Sequence, residues 1–172
     1  MNRDDVLAYL NSKGIRYQLH EHAPVFTVEE MRRTDIPHQD RLVKNLFLHD
    51  DKKRSYFLVT MHGDKVVNLK ELGEKLGTRK LRFVSEDGLR AMLGLEKGHV
   101  TPLGLLNDAE RKVVAVFDAA LNDGPGDKSA VIGVHPMVNN AWFSCHWGIW
   151  SSCCGSRVPL SGGWISEASR PY

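Results

Sequence analysis

Apolar and polar positions change their period several times along the chain, and each change marks an element. Val6, Leu7 and Leu10 recur at helical spacing and Gly14 stops the run, so residues 3–13 are predicted as a helix. From Ile15 to His22 apolar and polar residues alternate, the period of a half-buried strand. Thr27-Val28-Glu29-Glu30 has capping-box spacing and opens a short helix. Two apolar runs, 42–48 and 56–61, flank Asp50-Asp51-Lys52-Lys53 and read as a hairpin. Asn68-Leu69-Lys70-Glu71 starts another helix, which Gly77 ends. Residues 81–84 read as a strand, Ser85 caps a helix running to about Leu93, and 113–117 and 131–134 read as further strands, with a turn over 122–127 between them. Strands and helices intermix without regular alternation or internal repeat. The expected fold is therefore mixed α/β (α+β), a central mixed sheet flanked by short helices, rather than a doubly wound one.

Composition adds limits. The chain has 172 residues, one domain's worth, with 42% apolar and 26% charged residues, enough for a core without staples and too apolar for wholesale disorder. A formal charge of +2 is far below that of proteins gripping long nucleic acid, so any such contact is expected to be local. No apolar run approaches the ~18 residues that span a bilayer. Met1-Asn2-Arg3-Asp4-Asp5 lacks the apolar stretch of a signal peptide. A cytoplasmic protein without membrane contact is expected. Three cysteines, an odd count, argue against a disulfide framework.

The composition shifts at residue 140. All four tryptophans (Trp142, Trp147, Trp150, Trp164) and all three cysteines fall beyond it, charge is confined to Arg157, Glu167 and Arg170, and no period is sustained. We divide the chain into a domain at 1–140 and an atypical C-terminal tail at 141–172, and expect the tail to come from a shifted reading frame near codon 140. A lost last strand would leave a sheet edge open. Cys145, His146, Cys153 and Cys154 could ligate metal, but zinc takes spaced ligands in a tetrahedron and neighbouring side chains diverge, so no metal site is expected.

Three segments carry candidate chemistry. In Arg41-Leu42-Val43-Lys44-Asn45-Leu46-Phe47-Leu48, a lysine and an asparagine interrupt an apolar strand. Lys44 is either an edge lysine reaching for water or a cation facing a ligand, where three donors on a point charge suit a phosphate or a polarised carbonyl. Gly98-His99-Val100-Thr101-Pro102-Leu103-Gly104 is either a rigid turn or a loop whose backbone must approach a ligand. Gly133-Val134-His135-Pro136-Met137-Val138-Asn139 sets a histidine before a proline just past a strand, as a structural or a site residue. The basic clusters Arg32-Arg33, Lys52-Lys53-Arg54 and Arg79-Lys80 with Arg82 read as solvated surface or as contacts to a nucleic-acid backbone. No Gly-x-Ser-x-Gly elbow, His-Glu-x-x-His helix or phosphate loop occurs.

Together, Lys44-Asn45-Leu46-Phe47-Leu48, Gly98 to Pro102 running on through Gly104 to Asp108, and His135-Pro136 with Asn139 resemble the YbaK/ProX-type aminoacyl-tRNA deacylase family, also called prolyl-tRNA synthetase-associated domains. Pro24-Val25-Phe26-Thr27 and Asp64-Lys65-Val66-Val67-Asn68 add to the likeness, which covers residues 1 to about 140 and points to freestanding members specific for alanine. The resemblance implies that family's fold and hydrolysis of alanine mischarged onto proline tRNA, with tRNA and prolyl-tRNA synthetase as partners and no cofactor. It implies catalytic roles for Lys44, Gly133 and His135. It implies substrate contacts at Phe26, Thr27, Asn45, Gly98, Thr101, Pro102, Gly104, Pro136 and Asn139. Family members continue His-Pro-x-x-Asn with Thr-Ala-Thr, whereas Asn139 here is followed by Asn140-Ala141-Trp142, the point where the likeness stops.

Such an activity makes physical sense. A pocket built for proline rejects the smaller alanine by only about 10–200-fold per missing methylene, so a second, smaller site supplies the rest. The ester is already activated; its hydrolysis needs an oriented water and a donor for the oxyanion, worth about 10²–10³ in rate. The competing class is a module of the same fold that holds tRNA or a synthetase without hydrolysis.

Overall fold

The computed structural model describes residues 1–121 and 131–146. The turn expected over 122–127, the cysteines at 153 and 154 and three of the four tryptophans lie outside them. Helix α1 (Arg3–Ser12) begins one residue after Asn2, whose side chain accepts from the Asp5 N–H (3.0 Å) while the Asp5 carboxylate accepts from the Asn2 N–H (2.8 Å). This reciprocal cap satisfies two amides that the helix start would orphan, and Val6 and Leu10 turn inward. Strand β1 (Tyr17–Glu21) follows. Thr27 accepts from the Glu30 N–H (3.1 Å) and opens α2 (Val28–Met31).

Strands β2 (Val43–Asp50) and β3 (Tyr56–His62) form the expected antiparallel hairpin, pairing Lys44 with Met61 and Asn45 with Thr60. Its turn is closed by Asp50, which is buried and accepts from the Arg54 N–H (2.6 Å). Helix α3 (Leu69–Lys75), capped by Asn68, leads to β4 (Leu81–Phe83), which pairs with β2. Helix α4 (Glu86–Leu93), capped by Ser85, precedes a 3₁₀ segment, Pro102–Asn107. Strand β5 (Val113–Phe117) then lies parallel to β3. Strands β6 (Val131–Val134) and β7 (Ala141–His146) pair antiparallel, and β7 also pairs with β1.

Among the described residues the strands fall into two sheets, ordered β4-β2-β3-β5 and β1-β7-β6, joined at a bridge between Leu42 and Gly133. The first sheet is covered on both faces. Phe47 and Leu58 face the main core with α1, α4 and β5, while Leu48, Phe57 and Val59 face a second core beneath Leu72 of α3 and its C-cap Leu76. Burial on both faces is why β2 and β3 read as continuous apolar runs rather than as an alternation.

Strand β7 corrects the expectation that the last strand is missing: residues 141–146 form the middle strand of the second sheet, between β1 and β6. The strand has no polar–apolar alternation because both of its faces meet apolar surroundings. Phe143 and Cys145 enter the main core, and Trp142 enters a small third cluster with Val25, Met31, Ile36 and Leu42.

Candidate active site

A cavity of about 170 Å³ opens where the two sheets meet. Strand β2 supplies Val43, Lys44 and Asn45, the segment before α2 supplies Phe26 and Thr27, the 98–100 loop supplies Gly98 and Val100, and the β6–β7 side supplies Val134, His135 and Trp142. Met31 and Leu42 complete the lining.

Lys44 is half-buried near the start of β2. Its ammonium donates to the backbone carbonyl of Lys65. Lys65 in turn pairs through its own ammonium with Asp118, whose carboxylate is buried and also accepts from the Ala120 N–H (3.1 Å). Lys44 is therefore held by a neutral carbonyl, while the carboxylate behind it is committed to another lysine. Among the described residues no carboxylate stands within ion-pair distance of the Lys44 ammonium. A cation so placed keeps its charge for whatever enters the cavity.

Asn45 links β2 to the loop opposite. Its amide N–H donates to the Val100 carbonyl (2.9 Å), and its carbonyl accepts from the Thr60 hydroxyl (2.7 Å). The side chain is thus engaged in holding the 98–101 loop over the cavity. Gly98 in that loop has φ +87°, and a Cβ there would lie 3.0 Å from the Phe26 ring, so both conformation and space favour glycine. Phe26 is 63% exposed at the cavity mouth, and its ring stacks with that of His99 (centroids 6.4 Å apart, 28° between planes).

His135 has its Nδ1 against the Ala141 carbonyl (3.1 Å), so the neutral ring carries its proton there and leaves Nε2 as a lone-pair acceptor. Burial pushes its pKa below the ordinary histidine value, and the nearby His22 and His99 push the same way; the bond to Ala141 opposes them. His22, whose ring centroid is 6.1 Å from that of His135, is fixed the same way, with Nδ1 on the Ala23 carbonyl (2.7 Å).

Six of the residues singled out from sequence line this cavity: Phe26, Thr27, Lys44, Asn45, Gly98 and His135. The others stand behind it. Gly133 lies under the Trp142 indole, where a Cβ would sit 1.6 Å from a ring carbon. Thr101 is fully buried and caps the 3₁₀ segment, with Pro102 at its first position. Gly104 packs against Leu95. Pro136 is buried, and the Asn139 carbonyl accepts from the Val25 N–H (3.0 Å), tying the approach to α2 onto the β6–β7 connection. These six therefore meet the cavity through the residues they position.

A model of the aminoacyl-tRNA editing domain matches residues 22–148. The chain belongs to this family. It is 45% identical over 136 residues to the prolyl-tRNA editing protein ProX of Acetoanaerobium sticklandii, covering 79% of this chain and 80% of that one. It is 40% identical over 138 residues to the mouse prolyl-tRNA synthetase associated domain-containing protein 1, with 77% of each chain covered. In fold it is similar to a crystal structure described as a candidate trans-editing enzyme for prolyl tRNA synthetase, with a TM-score of 0.70 and 18% identity over 96% of this chain and 97% of that one.

The editing-domain match runs past residue 140 and takes in all of β7. Sequence reasoning missed Met31, Leu42, Val43, Val100, Val134 and Trp142 in the cavity lining, because apolar residues facing a cavity have the same pattern as apolar residues facing a core. Two basic clusters expected as free surface or nucleic-acid contacts are partly neutralised: Arg32 pairs with Asp64 and Arg79 with Asp51. Among the described residues no three His, Cys, Asp or Glu side chains converge as metal ligands, and no helix is long and apolar enough to cross a membrane.

Proposed function

We propose that this editing domain hydrolyses the ester of mischarged aminoacyl-tRNA, with alanine on proline tRNA as the substrate and the cytoplasm as its place of action. The single observation that carries the reading is the Lys44 ammonium, which enters the cavity wall without a carboxylate to neutralise it, opposite a neutral histidine. Family membership and the two prolyl-tRNA relatives support the same reaction.

In this reading the acyl group enters the cavity and the terminal nucleotide stays at the mouth, beside Phe26 and Thr27. Water adds to the ester carbonyl, the carbon–ribose oxygen bond breaks, and the leaving ribose oxygen takes a proton as alanine departs. Lys44 lies on the side where negative charge develops on the carbonyl oxygen, the position at which a fixed cation contributes most. His135 holds an acceptor, Nε2, toward the water or the amino group, and its lowered pKa keeps that acceptor available at neutral pH. The neighbouring ribose hydroxyl of the substrate serves as the proton carrier. Asn45 and Gly98 set the distance between β2 and the loop above it. Prolyl-tRNA synthetase, which releases the mischarged tRNA, is the expected protein partner.

The test is deacylation of alanyl-tRNA(Pro) followed by released alanine. Turnover by the intact chain is expected, and Lys44→Ala should lower kcat/KM by about 10²–10³ with unfolding unchanged. Retention of intact alanyl-tRNA by the wild-type chain would make it a binding module. Wild-type rates in a folded Lys44→Ala variant would remove this residue from the chemistry.

A further inference from the structure

The back of the cavity is made by a residue that neither the family motif nor the pattern of the chain points to. Trp142 lines the cavity and is 2% exposed. Its indole lies directly over Gly133, and at 1.6 Å the position of a Cβ there coincides with a ring carbon, so the ring occupies the space that any other residue at 133 would fill. On its other flanks it packs in a cluster with Met31 and Leu42, which line the same cavity. The ring cannot swing toward Gly133, because the backbone is already in contact with it, and Met31 and Leu42 restrain it elsewhere. It is a fixed wall, and its position sets how far an acyl group can reach.

We infer that Trp142 is a specificity-determining residue of the editing site: its ring limits the acyl group to a small side chain. This rests on the deacylase reading above. It adds a size limit that the Lys44 and His135 side of the cavity does not provide, since those residues act on the ester whatever its side chain.

Two variants test the wall. Trp142→Leu keeps an apolar filler but shortens the wall, and Trp142→Phe shortens it less by keeping one ring. Each variant is first checked for cooperative unfolding, and kcat/KM is then measured on alanyl- and prolyl-tRNA(Pro). Trp142→Leu is expected to lower the preference for alanine over proline by about 10-fold or more, the range for a methylene-sized change in a pocket. Trp142→Phe is expected to lower the preference by a smaller factor, since its wall is shortened less. An unchanged preference in folded Trp142→Leu, or in folded Trp142→Phe where the leucine variant does not fold, overturns the wall. If the wild-type chain hydrolyses neither ester, the deacylase reading itself fails, an outcome distinct from all of these.

Discussion

On one side of the cavity Lys44 and Asn45 are held by hydrogen bonds; on the other, Trp142 is held by contact alone. The polar side rests on a buried ion pair, Lys65 with Asp118, and on a carboxamide satisfied at both ends. The apolar side rests on a glycine whose missing side chain is replaced by an indole. The first arrangement fixes where charges stand and tolerates small shifts, because hydrogen bonds keep most of their strength over a few tenths of an ångström. The second fixes a volume and tolerates almost nothing, because overlapping atoms repel steeply. The site therefore has one side suited to chemistry and one suited to measuring size.

The largest effect is expected where the apolar side is broken. Gly133→Ala places a methyl group inside the Trp142 ring and should cost about 3 kcal/mol, the upper part of the range for an overpacked core. Urea unfolding would read it. Combining it with Trp142→Leu should restore much of the loss, since the two changes share one space and cannot act additively. Additive losses would show that the glycine is required for another reason.

The polar side should break next. Asp118→Asn takes away the carboxylate charge that pairs with the Lys65 ammonium. Removing one member of a fully buried pair costs about 3–5 kcal/mol; Lys65 is 19% exposed and can reach some water, so about 2–3 kcal/mol is expected. The variant should also lose kcat more than its affinity for tRNA changes, because Lys44 leans on the Lys65 carbonyl. A stability loss with kcat intact would confine the pair to folding.

How much of this was legible follows the same division. Lys44, Asn45 and His135 stood out because a polar residue inside or beside an apolar strand breaks a pattern, and the three do meet in one cavity. Caps were legible wherever the side chain is polar and the spacing short, as at Thr27, Asn68 and Ser85. The Asn2 cap was missed because the helix was started from its apolar positions. The 98–104 stretch was legible as special but not as the start of a 3₁₀ segment, since proline and glycine suggest a turn before any helix. Trp142 and β7 were hidden for a physical reason: a strand apolar on both faces has no period, and its composition then resembles a break in the domain. Which side chain fills the space above a given glycine is a tertiary fact that no local spacing carries.

A smaller effect tests the link between the loop and β2. Asn45→Ala removes the bond to Val100 and leaves the Thr60 hydroxyl to find another partner. About 1–2 kcal/mol of stability should go with it. If the loop is held there to receive substrate, KM for alanyl-tRNA should rise more than kcat falls, and steady-state kinetics would show the split.

The smallest expected effect is the dependence on pH, and it falls on His135, which stands where the two sides meet. Burial lowers its pKa in the folded chain below the ordinary value of 6.5, so between those two values the unfolded chain binds the proton and the folded chain does not. The contribution of His135 to stability is therefore fully present above about pH 6.5, is lost as pH falls from there toward the folded-state pKa, and levels off below it. Each unit of lowering corresponds to about 1.4 kcal/mol. His22 and His99 act on the same ring, so the wild-type slope alone does not isolate it. His135→Gln keeps a polar side chain that cannot take up the proton. Urea midpoints for both proteins at about pH 7.5 and 5.5 should diverge, with the wild type losing more on acidification. Equal losses would mean that the ring is already open to solvent, and an acceptor exposed in that way could not hold a water against the ester.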